Sequence, residues 1–177
     1  MPYRTKTYIA ADFDNDRDAI DQLYRWNKSG YYSLLDFTNV HDYHSSSDGS
    51  LYCSIKSNLS IRMKECKLFV LIVGKHTTSI TKGNCKHCSQ HWEYPSGYET
   101  RRYCLVGNSL SHKSYIEYEC DLAVRSNLRI VVLYNAGSVD KSLCPEALRD
   151  KGIHVPMKKC GSFEYSLVRD AFLKALG

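Results

Sequence analysis

Two short runs, Lys67–Val73 (KLFVLIV) and Arg129–Tyr134 (RIVVLY), limit the fold of this chain more than any other feature. Neither alternates apolar with polar residues. Successive side chains of a strand point to opposite faces, so a strand with one wet face must alternate. A strand without alternation is buried on both faces, as inside a parallel sheet covered by helices. Amphipathic segments supply the covers. Arg17 to about Asn27 turns Ile20, Leu23 and Tyr24 to one side, and Leu51–Met63 carries the ladder Leu51, Ile55, Leu59, Met63.

The flanking segments fit the same plan. Thr7–Asp12 (TYIAAD) reads as a first strand, closed by the polar turn Asp12-Phe13-Asp14-Asn15-Asp16, where Asp16 is placed to cap the next helix. Ser29-Gly30 stops that helix, and Ser33–Phe37 reads as a second strand. Pro145–Lys151 reads as a short helix with proline in its first turn. Ile153–Met157 reads as an edge strand, because Pro156 has no N–H for a central ladder. Ser162 opens a last helix whose inward residues include Val168, Ala171 and Phe172.

Strand and helix alternate five times, which predicts an α/β fold. The expected architecture is a flavodoxin-like three-layer αβα sandwich with a parallel sheet of about five strands. The 177 residues suit one domain. Residues from about 75 to 112 stand apart as an insertion without helical or strand period. A loop that long inside a compact domain is generally functional or separately stabilised.

Composition narrows the function classes. Apolar content of 43% and charged content of 24% are those of a globular protein. The longest apolar run, Leu68–Val73, is too short to span a bilayer, so no membrane partner is expected. The first residues lack the apolar core of a signal peptide, which places the protein in the cytoplasm. The net charge of +5 is spread along the chain, so no nucleic-acid surface is expected either. Eight cysteines without a secretion signal point to thiols or a metal rather than a disulfide scaffold.

Ser114 and Glu117 have the spacing of a capping box, so a helix should begin at Tyr115. Its inward stripe is Tyr115/Ile116, Glu119/Cys120, Leu122/Ala123 and Ser126. Glu119 therefore falls on an apolar face, where a carboxylate is costly unless it is paired, hydrated or aimed at a cleft. It is either a core-edge residue held by a partner or a site carboxylate. In open parallel sheets ligands sit beyond the carboxyl ends of the strands. Those ends are Ala11–Asn15, the stretch from Asp36 to His44, the chain from Gly74, and the first turns of the Glu119 helix. The placement at one end favours the site carboxylate.

Tyr115–Glu119 (YIEYE) fits the W-C-x-x-E pattern of Toll/interleukin-1 receptor (TIR) domains, with Tyr and Ile in place of Trp and Cys. Taken with Arg62–His76 before it and IVVLYN after it, the chain resembles the TIR-like branch that includes the ThsB proteins of the bacterial Thoeris anti-phage system. The resemblance covers strands one to four in order and leaves out the insertion. It implies an enzyme that cleaves NAD at the nicotinamide–ribose bond and makes an ADP-ribose-derived signal nucleotide, cyclic forms included. Glu119 then matches the family's catalytic glutamate. Ala11, Asp12 and Phe13 would face the nicotinamide side, with Asp36 and Tyr115 as further substrate contacts. The expected partners are NAD as substrate, other copies of the domain by self-association, and a nucleotide-sensing effector reached by the diffusible product. Tyr31, Tyr32 and Tyr43 are candidates for the self-association surface.

Within the insertion, Cys85-Lys86-His87-Cys88 is a C-x2-C that can grip one tetrahedral zinc, with Cys104 as a third thiolate. Cys120 or His91 is the expected fourth ligand, with His87 a further alternative. Unligated thiols on a loop are the plain alternative. The alternating Asp12, Asp14, Asp16 and Asp18 lack the glycine and glutamate of an EF-hand and read as a polar turn. His41-Asp42-Tyr43-His44 reads as a solvated loop. No glycine-rich phosphate loop is present, which disfavours nucleotide kinases and dinucleotide-binding Rossmann enzymes. Two other functions compete with the NAD-consuming enzyme. One is a non-catalytic TIR-like or receiver-like self-association module. The other is a nucleoside deoxyribosyltransferase-like enzyme, which also works through a glutamate.

Overall fold

The computed structural model describes residues 6–28, 36–38, 52–88, 91–96, 99–104 and 111–177, with backbone alone for 36–38, 91–96 and 99–104. Five parallel strands form the central sheet: β1 (Lys6–Ala10), β2 (Asp36–Thr38), β3 (Cys66–Val73), β6 (Arg129–Tyr134) and β7 (Ile153–Pro156). Their spatial order is β2-β1-β3-β6-β7, the order of flavodoxin-like doubly wound sheets. Pro156 falls on the edge strand, where a missing N–H costs no ladder bond.

The sheet is buried on both faces, and the side chains divide by the strand period of two. Tyr8, Ala10, Phe69, Leu71, Val132 and Tyr134 go to one face, under α2 (Tyr52–Met63) and α3 (Tyr115–Arg125). Ile9, Leu68, Val70, Ile72, Val131 and Leu133 go to the other, under α1 (Arg17–Lys28) and α4 (Tyr165–Leu176). Each fully buried aliphatic or aromatic side chain contributes about 1.5–3 kcal/mol relative to exposure. No helix among the described residues is long and apolar enough to cross a membrane.

Three sequence expectations are corrected. The segment from 75 to 112 is not without structure. It contains two 3-10 turns, Thr77–Ser79 and Cys85–His87, and an antiparallel hairpin of β4 (His91–Ser96) and β5 (Glu99–Cys104). HWEYPS alternates over only four residues before Pro95 interrupts it, and ETRRYC does not alternate, so the hairpin is hidden in the sequence. Second, the last helix does not start at Ser162. Cys160 (φ 49) and Gly161 (φ 81) make a left-handed turn that pairs β8 (Lys158–Lys159) with β9 (Ser162–Phe163). Glu164 is the cap instead, its carboxylate accepting from the Ser166 N–H at 3.3 Å. Third, Pro145–Lys151 holds only the 3-10 turn Glu146–Leu148. Its hydrogen bonds run to the third residue back, Leu148 to Pro145 and Arg149 to Glu146, and Gly152 (φ 82) then turns the chain into β7. Residues 29–35, the expected stop at Ser29-Gly30 and most of the second strand among them, lie outside the described residues.

Candidate active site

Glu119 is carried to the carboxyl edge of the sheet by helix α3, and the local sequence explains the helix. Ser114 Oγ accepts from the Glu117 N–H at 3.3 Å, and the Glu117 carboxylate accepts from the Ser114 N–H at 2.7 Å. Both halves of the capping box are formed. The expected stripe is buried at Tyr115, Ile116, Glu119, Cys120 and Ala123. Glu119 sits in the second turn at 2% exposure.

The Tyr8 hydroxyl donates to Glu119 Oε1 at 2.7 Å. Tyr8 is itself fully buried on β1 and stacked on Phe69. Burial first, and the Glu119 charge second, push the Tyr8 phenol well above its ordinary range. Tyr8 therefore stays a donor at any physiological pH and aims the carboxylate.

Glu119 forms part of the wall of an open cleft with a cavity volume of about 80 Å³. Ala10, Ala11, Asp12, Phe13 and Asp14 line one side, from the end of β1 and the turn after it. Tyr115 and Ile116 from the start of α3, with Ile80 and Lys82, line the other. The cleft is mainly apolar, with carboxylates and one lysine at its edges. That is the usual make-up of a small-molecule site.

The turn after β1 is built by Asp12. Its backbone carbonyl accepts from the Asp16 N–H at 2.8 Å, and its carboxylate accepts from the Asp14 N–H at 3.2 Å and Asn15 Nδ2 at 2.6 Å. Asp12 thus fixes the wall of the cleft as well as lining it. Asp16 starts α1 through its backbone carbonyl, which accepts from Ala19 and Ile20. Its carboxylate turns instead to Asn135 Nδ2 at 2.9 Å, at the end of β6. That Asn135 amide also bonds Asp18, which Lys158 pairs at 3.1 Å.

Across the cleft, the Tyr115 N–H donates to the Lys82 carbonyl at 2.9 Å, tying the helix start to the segment after β3. Tyr52 packs edge-on against the Tyr115 ring, with centroids 5.6 Å apart. Burial pushes the Tyr115 phenol upward as well.

The structure brings Ala11, Asp12, Phe13, Tyr115 and Glu119 together around one cleft. Asp36 is placed differently. Its β2 register puts it level with Lys6 at the start of β1, four residues before Ala10. At about 3.3 Å per residue that is roughly 13 Å from the carboxyl edge. Tyr31, Tyr32 and Tyr43 lie outside the described residues. Tyr8 was missed, whereas Asp14 fell within the expected Ala11–Asn15 edge and Ile80 and Lys82 within the chain from Gly74 without being singled out. The one signal Tyr8 carried was a phenol on a strand otherwise reading as core, and nothing in the sequence gave its partner.

No protein-family model matches the chain, and no curated protein is similar enough to it to count as a match.

The expected zinc ligands are split. Cys85 is buried in the 3-10 turn, and Cys88 caps that turn, its N–H donating to the Cys85 carbonyl at 3.0 Å. Cys120 is fully buried in the core cluster under α3, together with Cys66 and Cys144. His91 and Cys104 are described by backbone only. Among the described residues no group of three or more His, Cys, Asp or Glu is arranged to hold a metal ion.

Proposed function

We propose that this chain is a TIR-like enzyme that cleaves the nicotinamide–ribose bond of NAD and passes on the ADP-ribosyl group as a signal nucleotide in anti-phage defence. The observation that carries the reading is the aimed, buried Glu119 carboxylate in the wall of a cleft at the carboxyl edge of a parallel sheet. Glycosidic cleavage passes through an oxocarbenium-like state, and a fixed carboxylate stabilises its growing positive charge. An apolar wall strengthens that attraction by keeping water out. Phe13 offers a ring on the opposite wall, suited to a flat aromatic leaving group. Asp12 and Asp14 suit the ribose hydroxyls as acceptors, and Lys82 suits a phosphate.

The same reading has the domain self-associate in its active state and address a nucleotide-sensing effector through its product. The test is incubation with NAD and, separately, with deoxynucleosides, following products by mass. Nicotinamide release from NAD alone supports the proposal. Base exchange on deoxynucleosides alone assigns the cleft to a deoxyribosyltransferase. Dilution of the active enzyme tests assembly: activity per chain should fall as the protein is diluted.

A further inference from the structure

We propose that Asp16 carries a proton on Oδ2 and donates it to Asn135 Oδ1, and that this acid–amide pair is a proton-operated latch on the turn that walls the cleft. The latch would regulate the site of the proposed activity, and in that respect rests on that reading; the proton on Asp16 does not.

Two orphan atoms lead to the pair. Asp16 Oδ2 and Asn135 Oδ1 are both buried and have no hydrogen-bond partner. They belong to groups already in contact, since Asn135 Nδ2 donates to Asp16 Oδ1 at 2.9 Å. The same Nδ2 donates to Asp18 Oδ1 at 2.8 Å, so two carboxylates fix which end of the amide is nitrogen. A buried polar atom left unpaired carries its full desolvation cost. One proton serves both orphans. Oδ2–H donates to Asn135 Oδ1 while Asn135 Nδ2–H donates to Asp16 Oδ1, the two-bond ring of a carboxylic acid on an amide.

The surroundings favour the neutral acid. Asp16 is 2% exposed, and a Cβ on Gly74 would collide with both of its carboxylate oxygens, so the chain after β3 closes over the group. The titratable and charged groups around it are Asp12 in the turn, Asp18 on α1, His76 after β3 and Lys158 on β8. Lys158 pairs Asp18 at 3.1 Å, and among the described residues no cation pairs with Asp16. Burial, the largest cause, raises the Asp16 carboxyl above its ordinary range; the Asn135 bond and His76 oppose it, and Asp12 and Asp18 add to it.

The pair joins three strand ends. The Asp16 N–H donates to the Asp12 carbonyl at 2.8 Å and closes the turn after β1. Gly74 follows β3, and the Asn135 N–H at the end of β6 donates to the Val73 carbonyl at 2.9 Å. Loss of the proton puts a buried charge at this junction and leaves both orphan acceptors without a donor. The latch is therefore closed below the folded pKa of Asp16 and released as pH rises through it.

The experiment is a pH titration of the full chain, labelled with carbon-13 at its aspartate carboxyls and followed by NMR. The Asp16 carboxyl should keep its protonated signal above the ordinary aspartate value of about 3.9. Through its transition, with intrinsic exchange rates divided out, the amide protons of Asp16 and Asn135 should lose about 5-fold or more of their protection, the worth of one hydrogen bond. Asp16→Asn mimics the protonated acid, with an N–H in place of the O–H, and should hold that protection at every pH. Asp16→Ala should lack it throughout. The wild-type titration stands by itself if either variant folds poorly, and it does not read nicotinamide release, so failure of the proposed activity leaves it intact. The proposal is overturned if Asp16 ionises at or below the ordinary value, or if protection is unchanged through its transition. It is also overturned if Asp16→Asn is as unprotected as Asp16→Ala.

Discussion

The Tyr8 hydroxyl and the Glu119 carboxylate meet at 2.7 Å across 111 positions of sequence, one on the first strand and the other on the helix before β6. The bond ties the depth of helix α3 to the register of β1. A shift of either element by one residue would break it, because the neighbours of Tyr8 face the other side of the sheet.

Tyr8→Phe tests that tie. The ring keeps its stacking on Phe69, whose centroid is 5.7 Å away, and only the donor is lost. A buried acceptor that loses its donor costs about 1–3 kcal/mol, so thermal melting should fall by several degrees. Nicotinamide release should drop about 10-fold, since the carboxylate is no longer aimed. Unchanged melting and unchanged turnover together would show the bond to be incidental.

Asp16 should leave a mark on the pH dependence of stability. Burial is the main cause that holds its carboxyl above the usual carboxylate range; the Asn135 hydrogen bond pulls it down, Asp12 and Asp18 push it up, and His76 pulls it down. An acid whose folded pKa is raised binds more protons folded than unfolded. Its contribution to stability is therefore greatest at low pH and is lost as pH rises through the folded value. Asp16→Asn removes that loss while keeping an acceptor for Asn135. The difference in melting temperature, variant minus wild type, should become more positive as pH is raised from about 4 to about 7. Parallel curves over that range would contradict it.

Gly83 is predicted to be irreplaceable for the cleft wall. Its φ is +97, and a Cβ there would sit 2.6 Å from Tyr115 Cδ1. Gly83→Ala should cost about 1–3 kcal/mol from the strained backbone alone, and the clash displaces the Tyr115 ring. Hydrogen exchange should speed up from Thr77 to Cys88 and at the start of α3, with β3 and β6 unaffected. A variant with wild-type exchange and activity would refute this role.

Much of this was legible because it depends on short-range pattern. The Ser114/Glu117 box, the stripe that buries Glu119 and the non-alternating strands β3 and β6 each follow from spacing within a few residues. What was missed depends on register or on backbone sign. The partner of Glu119 is set by how β1 meets α3, which no local pattern encodes. Asp36 was assigned to the cleft because it lies late in a predicted strand, whereas the β2 register starts there. The true start of α4 was hidden by the left-handed Cys160, a conformation a non-glycine residue rarely signals. The hairpin escaped because its strands carry charges and a proline where alternation was sought.

Glu119→Gln, measured on one preparation by thermal melting and by nicotinamide release from NAD, tests the central claim most directly. The substitution keeps the size of the side chain and an oxygen for the Tyr8 hydroxyl, and removes the negative charge. If that charge stabilises the oxocarbenium-like state, release should fall by about 100-fold or more. Melting should stay level or rise, because a desolvated charge has been removed. A melting point that falls sharply, or a variant that releases nicotinamide at the wild-type rate, would contradict the assignment of Glu119 as the catalytic carboxylate.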